Sequence, residues 1–458
     1  MKKIIILIIS LLTISVGYAQ MSTLLNNSKH IPQINQMNPA LFTNSNFYLS
    51  LPSVNLNLDS PLSFSDVFGV KQEYGQNVTY INTDAILASL DSRNDLNFGV
   101  DVGLLGFGFK TKNGFFTFST TLRTIGLLEV PKGVFHFLGE GNVDENGRGK
   151  DVSLLDNELL ALQSYLEYGI GYGYHLNDKL TIGLRFKLLQ GLVNISTMNT
   201  VFDLQTSPDL SSLDFNLAYN LRIQGPIALS KAGDTTLNYK ILSSVPQNWG
   251  MAFDFGAKYQ LTDKLSLAAS VLDIGSIHWV ENITELHTKD GTGSFRFAGA
   301  EWDEMFSNGV YNEDFFSTLT DSVTNELAQY DIDTLASDYW ERVPWKFNLA
   351  ATYEFNKVFS ASLMYRGEKN KFNYFQSVTA GVNINLWNWL EVMACNSVNN
   401  FNDWLNPGVG VSVSLLKMIQ VYTLFDYVSD VYLVNGKSFR FFFGMNISLG
   451  NNREHDKD

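Results

Sequence analysis

The chain has 458 residues, a net charge of −14, 13% aromatic residues and one cysteine, Cys395. So acidic a balance argues against nucleic acid as a partner, because phosphates need a basic face. A lone cysteine excludes an internal disulfide framework.

Taken in chain order, the first residues predict a secretory signal peptide over 1–19. Lys2 and Lys3 precede an apolar run at residues 4–12, and Gly17-Tyr18-Ala19 offers small residues for cleavage. No later run of about 18 apolar residues follows, so no transmembrane helix is expected. Residues 20–46 show no strand period and contain "QINQMNPALF"; they are expected to form a plug-like segment ahead of the first strand.

From Phe47 the period is two. In "YLEYGIGYGYHL" the positions Leu166, Tyr168, Ile170, Tyr172, Tyr174 and Leu176 form an apolar face, while Glu167, Gly169, Gly171, Gly173 and His175 form the other. Such alternation is the signature of a strand with two unlike faces. The stretch "YHLNDKLTIGL" at 174–184 recurs as "YQLTDKLSLAA" at 259–269, and each copy is a predicted hairpin with Asp-Lys as its turn. Tight turns are expected at Lys112-Asn113, Asn177-Asp178, Asp263-Lys264, Asn356-Lys357, Trp387-Asn388 and Leu416-Lys417. Long strands, short turns alternating with long loops, and aromatics near strand ends predict an all-β fold: a transmembrane antiparallel β-barrel of 14–16 strands over residues 47–450. The count is 16 if residues 214–245 form a hairpin and 14 if they form an outer loop. Parity places the tight turns and both chain ends in the periplasm, with the barrel in the outer membrane. It places the inserts 127–162 and 281–344 outside.

The second insert is strongly acidic, with 14 Asp or Glu against 3 Lys or Arg. Within it, residues 313–330 have the apolar spacing of a capping helix, with a solvated loop as the alternative. In the first, Val134, Phe135 and Phe137 either line an outer rim or pack within the loop. The last strand presents Phe441, Phe443, Met445, Ile447 and Leu449 on one face and must close against the first, since lipid tolerates no open edge. Residues 451–458 form a polar tail.

With the apolar faces toward lipid, the residues expected to line the lumen are Asp101, Arg123, Glu167, Arg185, Lys187, Asp254, Lys258, Glu354 and Arg366, with Glu391 beside them. These charges either line a water-filled path or pair with one another across a filled interior. The six histidines lack ligand spacing, and no nucleophile elbow, zincin motif, phosphate loop or paired-cysteine site is present. No cofactor or metal is expected and no enzymatic role is read, although His278 and His287 lie near acidic residues.

Asn38-Pro39-Ala40, ahead of such a barrel, resembles the Asn-Pro-Ala of FadL-like fatty-acid transport barrels, and its Asn-Pro is similar to that near the start of PorP/SprF-like barrels. The run "QMNPALF" followed by "NFYLSLPSVNLNLDSPLSFSDVF" resembles a family of uncharacterised outer-membrane barrels of Bacteroidota. The FadL-like resemblance implies a channel or transporter for a small hydrophobic molecule, with Asn38, Pro39 and Ala40 in the plug. The PorP/SprF-like resemblance implies instead a barrel that anchors an envelope protein partner of a type IX secretion or gliding assembly. On the residues alone, Asn-Pro-Ala is also simply a turn. Outer-membrane lipid is the surrounding partner in either case.

Overall fold

In the computed structural model the described residues are 23–450, apart from 74, 92–93, 157, 209–211, 226, 230–234, 238–246, 289–292, 298–305, 308–309, 312–329, 334–336, 387–388, 400–405, 417 and 427–435. The expected leader, the polar tail and all but the last residue of the capping-helix segment lie outside them.

The described strands close into a 14-strand antiparallel barrel. Its strands are β1 (Phe47–Ser50, continued as Ser53–Asp59), β2 (Asp95–Lys110), β3 (Gly114–Glu129), β4 (Leu160–His175), β5 (Leu180–Thr206), β6 (Asn248–Gln260) and β7 (Leu265–Trp279). They continue as β8 (Trp345–Glu354), β9 (Phe359–Lys369), β10 (Tyr374–Leu386), β11 (Leu390–Asn399), β12 (Pro407–Leu415), β13 (Ile419–Asp426) and β14 (Ser438–Leu449). Each pairs with its neighbours in sequence, and the seam closes where Phe47 meets Leu449 and Val54 meets Phe443. Closure leaves no unpaired edge for lipid to meet.

The outward face is what the period predicted. Ile170, Leu184, Met251, Phe255, Leu349 and Leu363 are all exposed large hydrophobics. A belt of that kind is stable only against hydrocarbon.

The repeated hairpins turn by one device. In the first copy, Asn177 Oδ1 accepts from the backbone N–H of Lys179 and Leu180 at 2.9 and 2.8 Å. Thr262 Oγ1 accepts from Lys264 and Leu265 in the second copy, and Asn356 Oδ1 accepts from Val358 and Phe359 between β8 and β9. The repeat therefore conserves a capping oxygen one residue before the Asp-Lys that the sequence brought to notice. Short side chains that satisfy turn N–H groups locally are the usual means of reversing a chain in water.

Residues 213–224 resolve the strand count. They do not re-enter the barrel; Leu213–Gln224 pairs with the far half of β5, from Asn194 to Thr206. β5 has 27 residues, far more than the roughly 9–11 that span a bilayer. Its far half, with Ile283–Thr288, Gly293–Phe297 and Tyr330–Asp333, builds a sheet beyond the barrel.

The insert after β3 opens with a helix, Lys132–Glu140. There Val134 and Phe137 pack on the buried Val152, Leu154 and Leu204, so they lie inside the loop and do not form a rim. A further insert between β1 and β2 was not singled out by the sequence. It holds a strand pair, Phe68–Glu73 with Gln76–Ile81, and a helix, Thr83–Ser89, capped by Asn82.

Candidate functional site in the lumen

The N-terminal segment lies against the inward face of the barrel. Two short 3-10 turns, Thr23–Asn27 and Pro32–Gln36, carry it, with Leu24, Leu25 and Ile31 wholly buried. It meets two different walls.

Along β9–β14 the inward face carries Met364, Met393, Cys395, Tyr422, Leu424 and Phe442, and these form one buried cluster with Leu24, Leu25, Ile31, Ile34 and Met37. Polar anchors frame it. Ser28 Oγ and the Lys29 N–H donate to the two carboxylate oxygens of Glu391 at 2.8 and 2.7 Å. Gln33 and Asn446 exchange amide hydrogen bonds, at 2.7 and 3.0 Å, and Gln420 donates to the His30 carbonyl at 3.0 Å.

Along β2–β8 the wall is charged. Arg123 reaches Asp101 and Glu167 at 3.3 and 2.7 Å, while Lys187 reaches Glu167 and Asp254 at 3.7 and 2.8 Å and also pairs with Asp273. Lys346 holds the other Asp273 oxygen at 2.8 Å, and Arg185 lies 3.7 Å from Asp254. Four acids thus face four bases, all buried. Compensation of this kind is what makes buried charge tolerable, since an unpaired ion there would cost several kcal/mol. The cluster is also tied to the N-terminal segment: Arg185 Nη2 donates to the carbonyl and side-chain oxygens of Asn35 at 2.9 and 2.7 Å.

Asn38-Pro39-Ala40 sits where this wall carries glycine. Asn38 Oδ1 accepts from the Ala40 N–H at 2.9 Å, closing the local turn, and its Nδ2 donates to the carbonyls of Ala257 and Ala269 at 3.2 and 3.0 Å. The turn rests on Gly173, Gly183 and Gly256. A Cβ at Gly183 would overlap the Pro39 carbonyl group and the Ala40 nitrogen, and one at Gly256 would overlap the Asn38 side chain. The glycines of the strands that flank the repeated turns therefore form a cradle for the tripeptide. Phe42 continues the contact, stacking on Phe115 with ring centroids 5.4 Å apart.

Of the nine charges read from the sequence as luminal, Asp101, Arg123, Glu167, Arg185, Lys187 and Asp254 come together in the charged cluster. Arg366 is buried farther round, paired with Glu368 at 3.1 Å. Lys258 is only half-buried, and Glu354 is exposed at the tight-turn end, 3.2 Å from Lys29 of the N-terminal segment. Those two therefore lie at a mouth and apart from the cluster.

Sequence reasoning missed Asp273. Strict alternation from Leu265 would turn Asp273 outward, but the β6–β7 ladder slips between Phe253 and Phe255, and Asp273 adopts φ +61°. This bulge inserts one residue and swings the carboxylate inward, where its N–H also donates to Asp254 at 2.7 Å. Also missed was the apolar inner wall. Its signal is an apolar run without alternation, such as Phe441-Phe442-Phe443, which marks a strand buried on both faces.

Among the described residues no group of His, Cys, Asp and Glu is arranged to hold a metal. His278 pairs with Asp338 at 2.6 Å and stacks on Trp340, on the exposed surface beyond the lumen.

Space beside the N-terminal segment is small. The cavity between Gln33, Asn35, Tyr48 and the adjoining strands measures about 20 Å³, and that between His30, Glu391 and Ser412 about 10 Å³. Each admits a water at most.

These features define a closed membrane barrel with an internal segment seated across its lumen. The chain belongs to DUF5723, a family of unknown function whose model matches residues 39–426. No curated protein matches the sequence. Among solved structures it is similar to the Ralstonia pickettii toluene transporter TbuX, at 11% identity over 96% of this chain and 100% of that one, with a TM-score of 0.45. It is likewise similar to a Pseudomonas aeruginosa FadL homologue, at 9% identity over 95% and 100% with a TM-score of 0.44. The Pseudomonas putida toluene transporter TodX matches at 11% identity over 94% and 97%, with a TM-score of 0.41. Likenesses this slight transfer no function to the chain.

Proposed function

We propose that the protein is an outer-membrane conduit for a small hydrophobic or amphipathic molecule, gated by residues 20–46 acting as a plug, with both chain ends in the periplasm. The observation that supports this is the apolar inner wall. A water-filled pore needs no Met364, Met393, Leu424 and Phe442 on its inward face, because such side chains weaken a hydrated path. Covered by Leu24, Leu25 and Ile31, they form a dry surface that a hydrophobic solute would wet once the plug swings away. The charged wall and the glycine cradle hold the plug through Asn35 and Asn38, Glu391, Gln420 and Asn446 anchor it around the apolar side, and the apolar centre is its exchangeable face.

Uptake of a hydrophobic dye into liposomes tests this. Deleting residues 20–42 should raise the flux, and replacing Met393 and Leu424 together by Asp should lower it in the deleted form. Unchanged flux in both variants, with the barrel folded, would remove the reading.

A second reading is a barrel that anchors an envelope partner. It is supported by the strand pair between β1 and β2, which exposes Phe68, Val70, Tyr80 and Ile81; surface apolar groups gathered in this way often mark a protein contact. Purification in mild detergent with crosslinking separates the two, since a stoichiometric partner favours anchoring and a lone barrel favours conduction.

A further inference from the structure

The lipid-facing side of β6–β10 carries a groove of about 610 Å³, far larger than the spaces beside the N-terminal segment. Its floor is Ala257, Ala269 and Ala351, with Leu349, Leu363 and Tyr365 standing beside them. The ladder explains the hollow. Ala257 lies opposite Ala269, Ala269 opposite Leu349, and Ala351 opposite Leu363. Each alanine ends at Cβ, so the outward surface dips where the flanking leucines and tyrosine project.

A polar cluster borders the groove on the side of the loops. Tyr374 lies across Gly367, where a Cβ would overlap its hydroxyl, and that hydroxyl meets the Tyr365 hydroxyl at 2.9 Å. The Tyr365 hydroxyl also donates to Gln376 Oε1 at 3.4 Å. At the loop end of the same strands Trp345, Lys369 and Tyr374 stand opposite one another in a single row, all exposed. The neighbouring Glu368 turns inward and pairs with Arg366 at 3.1 Å, so it leaves the outward charge of Lys369 in place.

Charge, hydroxyls and apolar groove thus follow in order down one face. Trp345 precedes Leu349 by four residues and Ala351 by six, which is about 13–20 Å along a strand. With a tilt of about 35–45° this becomes a depth of about 10–15 Å, close to half of a hydrocarbon core about 30 Å thick. An acyl chain whose head meets Lys369 therefore ends in the groove. A second barrel would bring a belt that is apolar over its whole depth, which covers the groove but leaves the lysine and the phenol hydroxyls unanswered. An anionic head answers the lysine, and ester oxygens can accept from the hydroxyls, with Trp345 and Tyr374 suited to the interface between them.

We propose that this face is a binding site for one lipid of the leaflet at the loop end, with an anionic phosphate head at Lys369 and an acyl chain in the alanine groove. The site lies on the outside of the barrel and does not rest on the conduit reading. Native mass spectrometry of the folded barrel in a neutral polyoxyethylene detergent, titrated with dimyristoyl phosphatidylglycerol or dimyristoyl phosphatidylcholine, tests it.

The parent is expected to retain one phosphatidylglycerol and to hold it more tightly than phosphatidylcholine. Lys369→Gln should weaken phosphatidylglycerol by about fivefold and leave phosphatidylcholine unaltered, as one lysine near a membrane surface predicts. Ala351→Phe and Ala269→Leu, which fill the groove, should each weaken both lipids by roughly tenfold, the equivalent of about two methylenes left uncovered. Ile170→Phe, on the belt at β4, should change neither. The proposal fails if no lipid is retained, if the two lipids bind equally to the parent, or if the lysine and groove variants, shown folded by their heat-dependent gel mobility, bind as the parent does. A dimer that only the groove variants dissociate would also overturn it, by making a second copy the occupant.

Discussion

Across β2–β8 the barrel meets the N-terminal segment with charge, glycine and backbone carbonyls, whereas across β9–β14 it meets the same segment with methionine, leucine and aromatic rings, framed by Glu391, Gln420 and Asn446. Both walls are buried, yet the energetics differ in kind. The charged wall is specific and brittle: each ion is tolerable only while its partners are in place. The apolar wall is non-directional, so it holds the segment in proportion to area covered and can accept another apolar body in its stead. A hinged plug would want that division, with fixed geometry on one side and exchangeable contact on the other.

The largest effect that would test this contrast is at Asp273, which joins Lys187 and Lys346. Asp273→Ala should destabilise the folded barrel by about 3–5 kcal/mol, the usual consequence of orphaning a buried charge. Urea unfolding followed by gel mobility measures it, and the double change with Lys346→Met, which leaves three buried acids facing three bases, should recover much of the loss. On the apolar side, Leu25→Ala should cost about 2–4 kcal/mol through the cavity it leaves, with the loss confined to the segment. Limited proteolysis should then cut near residues 23–37 while barrel unfolding stays put; an equal loss of barrel stability would erase the distinction between the walls. Gly183→Val should force Pro39 and Ala40 off the cradle at about 1–3 kcal/mol of overpacking, which raises single-channel conductance if the turn is the hinge. The smallest change expected is at Asn177→Ala, roughly 0.5–1.5 kcal/mol for the lost turn hydrogen bonds, with proteolysis and conductance as in the parent.

Much of this fold was readable because a membrane barrel writes its two environments onto alternate residues. The outward faces of β4–β7, the tight turns at Lys112-Asn113, Asn177-Asp178, Asp263-Lys264 and Asn356-Lys357, and the 14-strand option, with residues 213–224 beyond the barrel, all came from that period. The turn expected at Trp387-Asn388, and Lys417 of the one expected at Leu416-Lys417, lie outside the described residues. Alternation fails where its premises fail. A bulge re-aims Asp273 without any composition signal at that position, and a strand that is apolar on both faces, as at Phe441-Phe442-Phe443, gives no sign of which face is inside. Asn38-Pro39-Ala40 was visible as a turn. Its seat was not, because Gly173, Gly183 and Gly256 lie more than 130 residues away in the chain and are joined to it only by closure of the barrel.

That separation has a bearing on assembly. The N-terminal segment precedes every strand, but its anchors Glu391, Gln420 and Asn446 are 362 to 413 residues downstream. None of its berth exists until Phe47 and Leu449 zip the seam. Contacts so distant in sequence form late, because the intervening loop must be closed first. The segment that precedes every strand is therefore the last to be seated, and until the seam closes Leu24, Leu25 and Ile31 have no apolar wall to cover them.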